Sequence, residues 1–196
     1  MGEPNLITLL RDPLSRAISF YNHLSLDKAL SFDDYLDFYH EPNHQASWLG
    51  YEDGQPDFLQ RAFTSVGITE RFDESVLLFR HALGMSLDEV LYVKQRDKVK
   101  KTLTRDDLTP AQIGRLKALD HLDWALYREA EALVQQRVDA LPQLQAELAV
   151  YQAALADLTH PLWQQRGDFT IGYSKRSIWA KYNARKGRVI EFQRLM

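Results

Sequence analysis

The sequence predicts an α/β fold, with a few mostly parallel strands, flanking helices and a helix-rich C-terminal half. Three observations predict it. Short apolar runs at 5–10 and 65–69 each lead into a capped helix, the alternation expected of parallel strands. From residue 109 the pattern turns helical and stays so to about 158. With 196 residues, 45% of them hydrophobic, the chain can bury a sizeable core, and no linker divides it into independent domains.

Element by element, "NLITLL" reads as a buried strand. Asp12 then caps a helix that Pro13 can open, since its missing N–H costs nothing there. Leu14, Ala17, Ile18, Tyr21 and Leu24 give this helix one apolar face, and Arg16, Ser19 and His23 lie along another. "SFDDYLDFYH" is a short helix capped by Ser31. Residues 40–57, rich in turn formers, read as a loop. "FLQRAF" is a brief helix and "SVGIT" a second strand. "DESVLLFRHALG" is a buried helix starting at Asp73 and stopped by Gly84. "EVLYVKQ" at 89–95 reads as a third strand. Thr109 and Pro110 begin a helix to about Leu141 with a break near Asp120, and Pro142 opens another. In the latter, Leu144, Leu148, Tyr151, Leu155 and Leu158 form a packing seam. The expected organisation is one domain, 1–196: an α/β part (1–105), a helical hairpin (106–160) and a basic aromatic C-terminal segment (161–196).

Charge is uneven. Residues 166–196 hold eight Lys or Arg against two acids, so they carry +6 and the remainder −9 of a net −3. Aromatic residues interleave with these bases. The segment reads either as a phosphate- or sulfate-facing surface or as a solvated face packed by its aromatics. The overall balance gives no pull toward nucleic acid. The chain has no cysteine, which excludes disulfides, thiolate catalysis and cysteine metal sites. No apolar run approaches ~18 residues, and "MGEPN" is not a signal peptide; a cytoplasmic location is the expectation.

"HEPNH" at 40–44 carries the letters of a metalloprotease helix, but Pro42 breaks the helix that would align His40 with His44, so no metal site is expected. There is no G-x-x-x-x-G-K-[ST] loop and no nucleophile-elbow serine. "ARKG" at 184–187 is basic and reads as solvated surface. The stretch "LLRDPLSRAISFYNH" is more informative. A cation at the strand–helix junction (Arg11), a helix N-terminus and a hydroxyl two turns on (Ser19) can together hold an anion. Read from the residues alone, Arg11 can equally pair with an acid while Ser19 edges the core. Arg16 is expected in an internal ion pair.

Leu10, Arg11, Asp12, Pro13, Arg16, Ser19 and Tyr21, with the later Gly67–Ser75 run and, more loosely, Asp123, Leu126 and Tyr127 in "DWALYREA", resemble a known family. It is that of the Golgi-type and bacterial carbohydrate sulfotransferases, which includes heparan sulfate 2-O-sulfotransferase. The resemblance covers about residues 5–138. It implies a P-loop-NTPase-like three-layer fold, present in part. It implies transfer of a sulfuryl group from 3′-phosphoadenosine 5′-phosphosulfate (PAPS) to a carbohydrate hydroxyl, with PAPS or its product PAP and a carbohydrate as partners and no metal. By the same resemblance Arg11 and Ser19 bind the 3′-phosphate, and Glu70, Arg71 and Asp73 form a polar network and helix cap. The family's 5′-phosphosulfate loop, its Lys and its general base precede the Arg-Asp-Pro strand, and only ten residues do so here. The expectation is a truncated or inactive member, catalytic residues unassigned; the alternatives are a non-catalytic helical, basic interaction module or an unrelated nucleotide-binding enzyme.

Overall fold

The structure, a computed structural model, describes residues 5–24, 30–92 and 103–159. Strands β1 (Ile7–Leu10) and β2 (Ser65–Ile68) pair in parallel, Ile7 opposite Ser65 and Leu10 opposite Ile68. Helix α1 (Pro13–Leu24) leaves the carboxyl end of β1, and α5 (Phe72–Leu83) leaves that of β2 through a 3-10 turn at Thr69–Arg71. Between them run α2 (Phe32–Phe38), α3 (His44–Leu49) and α4 (Phe58–Ala62). The C-terminal half contains α6 (Pro110–Leu119), α7 (His121–Asp139) and α8 (Leu144–Thr159).

The caps follow the sequence. The Asp12 carboxylate accepts the Ser15 N–H at 2.7 Å, Ser31 and Asp34 cap α2 reciprocally, and Thr109 does the same for α6 with Gln112. α5 starts one residue before Asp73 with no side-chain cap, so Asp73 is not the cap; it accepts from Tyr92 and Gln152 instead. Gly84 ends α5 in the left-handed conformation, at φ +64°.

Two apolar clusters hold these elements. One joins Leu10, Val66, Ile68, Leu77 and Leu78 to Leu126, Leu133, Val134 and Tyr151, putting α7 and α5 on β2. The other packs Leu14, Ala17 and Tyr21 of α1 against Tyr35, Leu36 and Leu116. The apolar face expected for α1 is the one buried.

Two expectations are corrected. Residues 40–57 are not all loop: His44–Leu49 is helical, too short a run to show periodicity. The third strand does not form where it can be seen, because Asp88–Val90 is a 3-10 turn and the sheet has two strands among the described residues. Its remainder, 93–95, lies outside them. The C-terminal helices lie against the α/β part, α7 on β2 and α8 on α5. Arg80 and His81 secure that second contact, both reaching Glu147 Oε2, at 3.0 and 2.7 Å. The side chain of Leu158 and the segment 161–196 lie outside the described residues.

Gly67 explains how closely α5 approaches the sheet. A Cβ there would stand 2.6 Å from Ser75 Cβ and 2.7 Å from Phe79. Ser75 uses this proximity: its hydroxyl accepts the Ile68 N–H at 2.9 Å and lies 2.8 Å from the Arg71 carbonyl. Gly67→Ala should therefore cost about 1–3 kcal/mol by overpacking. Urea unfolding checks this, and an unchanged midpoint would show that α5 can shift freely.

Candidate functional site

The site is built where β1 and β2 end and α1 begins. The carboxyl ends of parallel strands are where open α/β sheets receive ligands. Two bonds tie the ends together: Thr69 Oγ1–H donates to the Leu10 carbonyl at 2.9 Å, and Asp12 N–H donates to Glu70 Oε1 at 3.1 Å. Glu70 Oε2 also accepts the Tyr127 hydroxyl at 2.9 Å, and with burial this pushes that phenol's pKa far up. Arg71 pairs bidentately with Glu74 at 2.5 and 2.9 Å and donates to Gln135 at 2.7 Å, holding the Glu74 carboxyl below its ordinary range. Glu70 and Arg71 are thus each held in polar bonds, in two separate sets among the described residues.

Arg11 is half-buried at the end of β1. Its backbone is fixed from both sides by one side chain: Arg11 N–H donates to Gln45 Oε1 and Gln45 Nε2–H donates to the Arg11 carbonyl, both at 2.9 Å. Among the described residues its guanidinium has no hydrogen-bond or ion-pair partner. Ser19 is exposed on α1, six residues past Pro13 and so about 9 Å along the axis, also without a protein partner among them. Arg16 faces Asp120 and Asp123 at 3.9 Å each, the internal ion pair expected of it.

Those two aspartates are fully buried, and they organise α3. Asp123 accepts the N–H groups of Gln45 and Ala46 at 3.1 and 2.8 Å. Asp120 accepts Asn43 N–H at 3.0 Å and His40 Nε2–H at 2.9 Å. In return Asn43, held at φ +52°, accepts the Leu122 N–H at 2.8 Å through Oδ1. Asn tolerates that left-handed conformation better than most residues. The starts of α3 and α7 therefore cap one another, and Gln45 is carried to Arg11 by this joint. Burial raises the Asp123 pKa, with the two N–H donors opposing.

His40 and His44 are parted by this arrangement. His40 lies between Asp120 and the Tyr35 hydroxyl, 3.2 Å from its Nδ1, while His44 Nδ1–H donates to Glu41 at 2.6 Å. Burial pushes the Tyr35 phenol up to about 12. No cluster of metal-ligating side chains occurs among the described residues. Gln45, Asn43 and Asp120 were not legible as site residues. The only signal for them was the Asp-x-x-Asp spacing at 120–123, which puts both carboxylates on the first turn of α7.

Comparison with known proteins gives the class of this chain, that of the carbohydrate sulfotransferases. The sequence model of galactose-3-O-sulfotransferase matches residues 3–160, and the chain belongs to that family. Human galactose-3-O-sulfotransferase 2 is 32% identical over 129 residues, 64% of this chain and 30% of the relative. The pig protein of the same name is 34% identical over 103 residues, 51% of this chain and 25% of the relative. The chain thus spans less than a third of the length of these relatives. No solved structure matches it. The expected cytoplasmic location is corrected by these relatives, which are Golgi-resident type II membrane enzymes. No helix among the described residues is long and apolar enough to cross a membrane, and that says nothing of the compartment.

Proposed function

We propose that this chain carries the donor 3′-phosphate site of a PAPS-dependent sulfotransferase acting on a galactose-containing carbohydrate. The supporting observation is Arg11: a cation whose backbone is clamped by Gln45 and whose guanidinium no described side chain neutralises. Half-buried charge of this kind is ordinarily paired, so an anionic ligand is the natural partner. Ser19 offers a second, neutral contact. The two-stranded sheet is then part of the family's P-loop-like three-layer fold.

When bound, PAPS supplies an activated sulfuryl group for in-line transfer to a hydroxyl. Arg11 and Ser19 hold the opposite, 3′ end and so orient the donor. Transfer also needs a cation at the leaving 5′-phosphate and a base for the acceptor proton. Lys117 is the one lysine among the described residues, and its ammonium sits 5.9 Å over the Trp124 ring. Arg16, Arg71 and Arg80 face carboxylates.

Thermal unfolding with adenosine 3′,5′-bisphosphate tests the reading, with adenosine 5′-monophosphate as the control that lacks the 3′-phosphate. Ligand at a hundredfold excess over Kd should stabilise by about 2.7 kcal/mol. No shift with the bisphosphate, or equal shifts with both, would contradict the reading and favour a non-catalytic interaction module.

A further inference from the structure

We propose that Gln45 is a positioning residue for the donor's 3′-phosphate: its side-chain amide closes on the Arg11 peptide and so sets the guanidinium in place, and donor affinity depends on it. The proposal rests on the donor reading above and adds to that site a residue from a separate helix, one that acts through Arg11 rather than on the ligand.

Alternate residues of a strand turn their backbone N–H and C=O to opposite edges. The Leu6 carbonyl accepts the Thr64 N–H at 2.7 Å and the Leu10 carbonyl accepts the Thr69 hydroxyl at 2.9 Å, so both point toward the β2 segment. Arg11, one residue on from Leu10, turns its N–H and C=O the other way. There the Gln45 amide meets both, at 2.9 Å each. This is the double exchange that a residue of a neighbouring strand makes. A primary amide suits it, because it carries a donor and an acceptor side by side. Asp12 N–H turns back again, to Glu70 at 3.1 Å. Three consecutive residues are thus held from two sides, and the central one bears the cation that has no partner among the described residues.

The surrounding fold does not depend on the Gln45 side chain. Helix α3 is anchored without it: Ala46 is fully buried, Asp123 accepts the backbone N–H groups of Gln45 and Ala46, and Asp120 accepts that of Asn43. The junction of β1 and α1 is likewise held by Thr69, Glu70 and the bond from Ser15 N–H to Asp12. What the Gln45 side chain adds is the orientation of one peptide, and with it the direction in which the Arg11 side chain leaves the backbone. An arginine on a loose peptide must lose that freedom when it meets an anion, and fixing the peptide beforehand lowers the entropic cost of binding.

Calorimetric titration of adenosine 3′,5′-bisphosphate into wild type, Gln45→Met, Arg11→Ala and the Arg11→Ala/Gln45→Met double variant tests this. Thermal unfolding of each protein accompanies it, with Gln45→Ala as a second replacement. Methionine keeps roughly the length of glutamine and removes both polar groups. Gln45→Met should weaken bisphosphate binding about fivefold, the scale of one neutral hydrogen bond. In the Arg11→Ala background the same change should alter affinity less than about twofold, because no guanidinium is left to position. A purely structural role would instead give the same fold-loss in both backgrounds. Unchanged affinity in Gln45→Met and Gln45→Ala, an equal loss with and without the Arg11 side chain, or failure of both replacements to fold would each overturn the positioning role while leaving the donor reading intact. Absence of bisphosphate binding by the wild type would overturn the donor reading itself, and this proposal with it.

Discussion

Asp123→Ala should lower the unfolding free energy by about 3–5 kcal/mol, the loss expected when one member of a buried charge cluster is deleted. The carboxylate is fully buried. Removing it strands the Gln45 and Ala46 N–H groups, for which it is the acceptor at 3.1 and 2.8 Å. It also leaves Arg16 with Asp120 alone, at 3.9 Å. Burying this charge is itself costly, as its raised pKa shows, so the loss measures stranded partners rather than a strong attraction. Asp123→Asn should cost less than alanine, because an amide oxygen can still accept one of the two N–H groups. The effect should extend to ligand binding, since α3 carries Gln45 to the Arg11 backbone. Denaturant unfolding of the three proteins checks the stability order. A loss under about 1 kcal/mol for the alanine variant, the range of an exposed pair, would show that the joint between α3 and α7 does not depend on this carboxylate.

Much of the fold was legible because local chemistry decides it. Asp12-Pro13, Ser31, Thr109-Pro110 and Gly84 mark helix ends by their own hydrogen bonds or backbone freedom, and each stands at a helix end in the structure. The break at Asp120 was legible for the same reason. The misread segments depend on distant partners. His44–Leu49 is helical because Asp123, almost eighty residues on, supplies its first-turn acceptors. The apolar residues at 89–91 suit a strand, yet the chain turns there and Tyr92 is drawn to Asp73. Of the candidate site, Arg11 and Ser19 stand in a motif that names them as candidates. Gln45 could not be named so, because nothing in "NHQAS" tells that a glutamine will close on a backbone 34 residues earlier.

The most direct test of the donor site is calorimetric titration of adenosine 3′,5′-bisphosphate into wild type, Arg11→Ala and Ser19→Ala. Both of Arg11's bonds to Gln45 are made by its backbone, so alanine keeps them and the fold should stand. What alanine removes is the guanidinium. A charge-assisted hydrogen bond contributes about 1.5–3 kcal/mol, so affinity should fall about 10- to 100-fold. Added salt should weaken the wild type more than the variant, since screening acts on the charge that the variant lacks. Ser19→Ala should cost about 1 kcal/mol, close to fivefold, because its hydroxyl is neutral. Equal affinity for wild type and Arg11→Ala would contradict the assignment of this arginine to the 3′-phosphate.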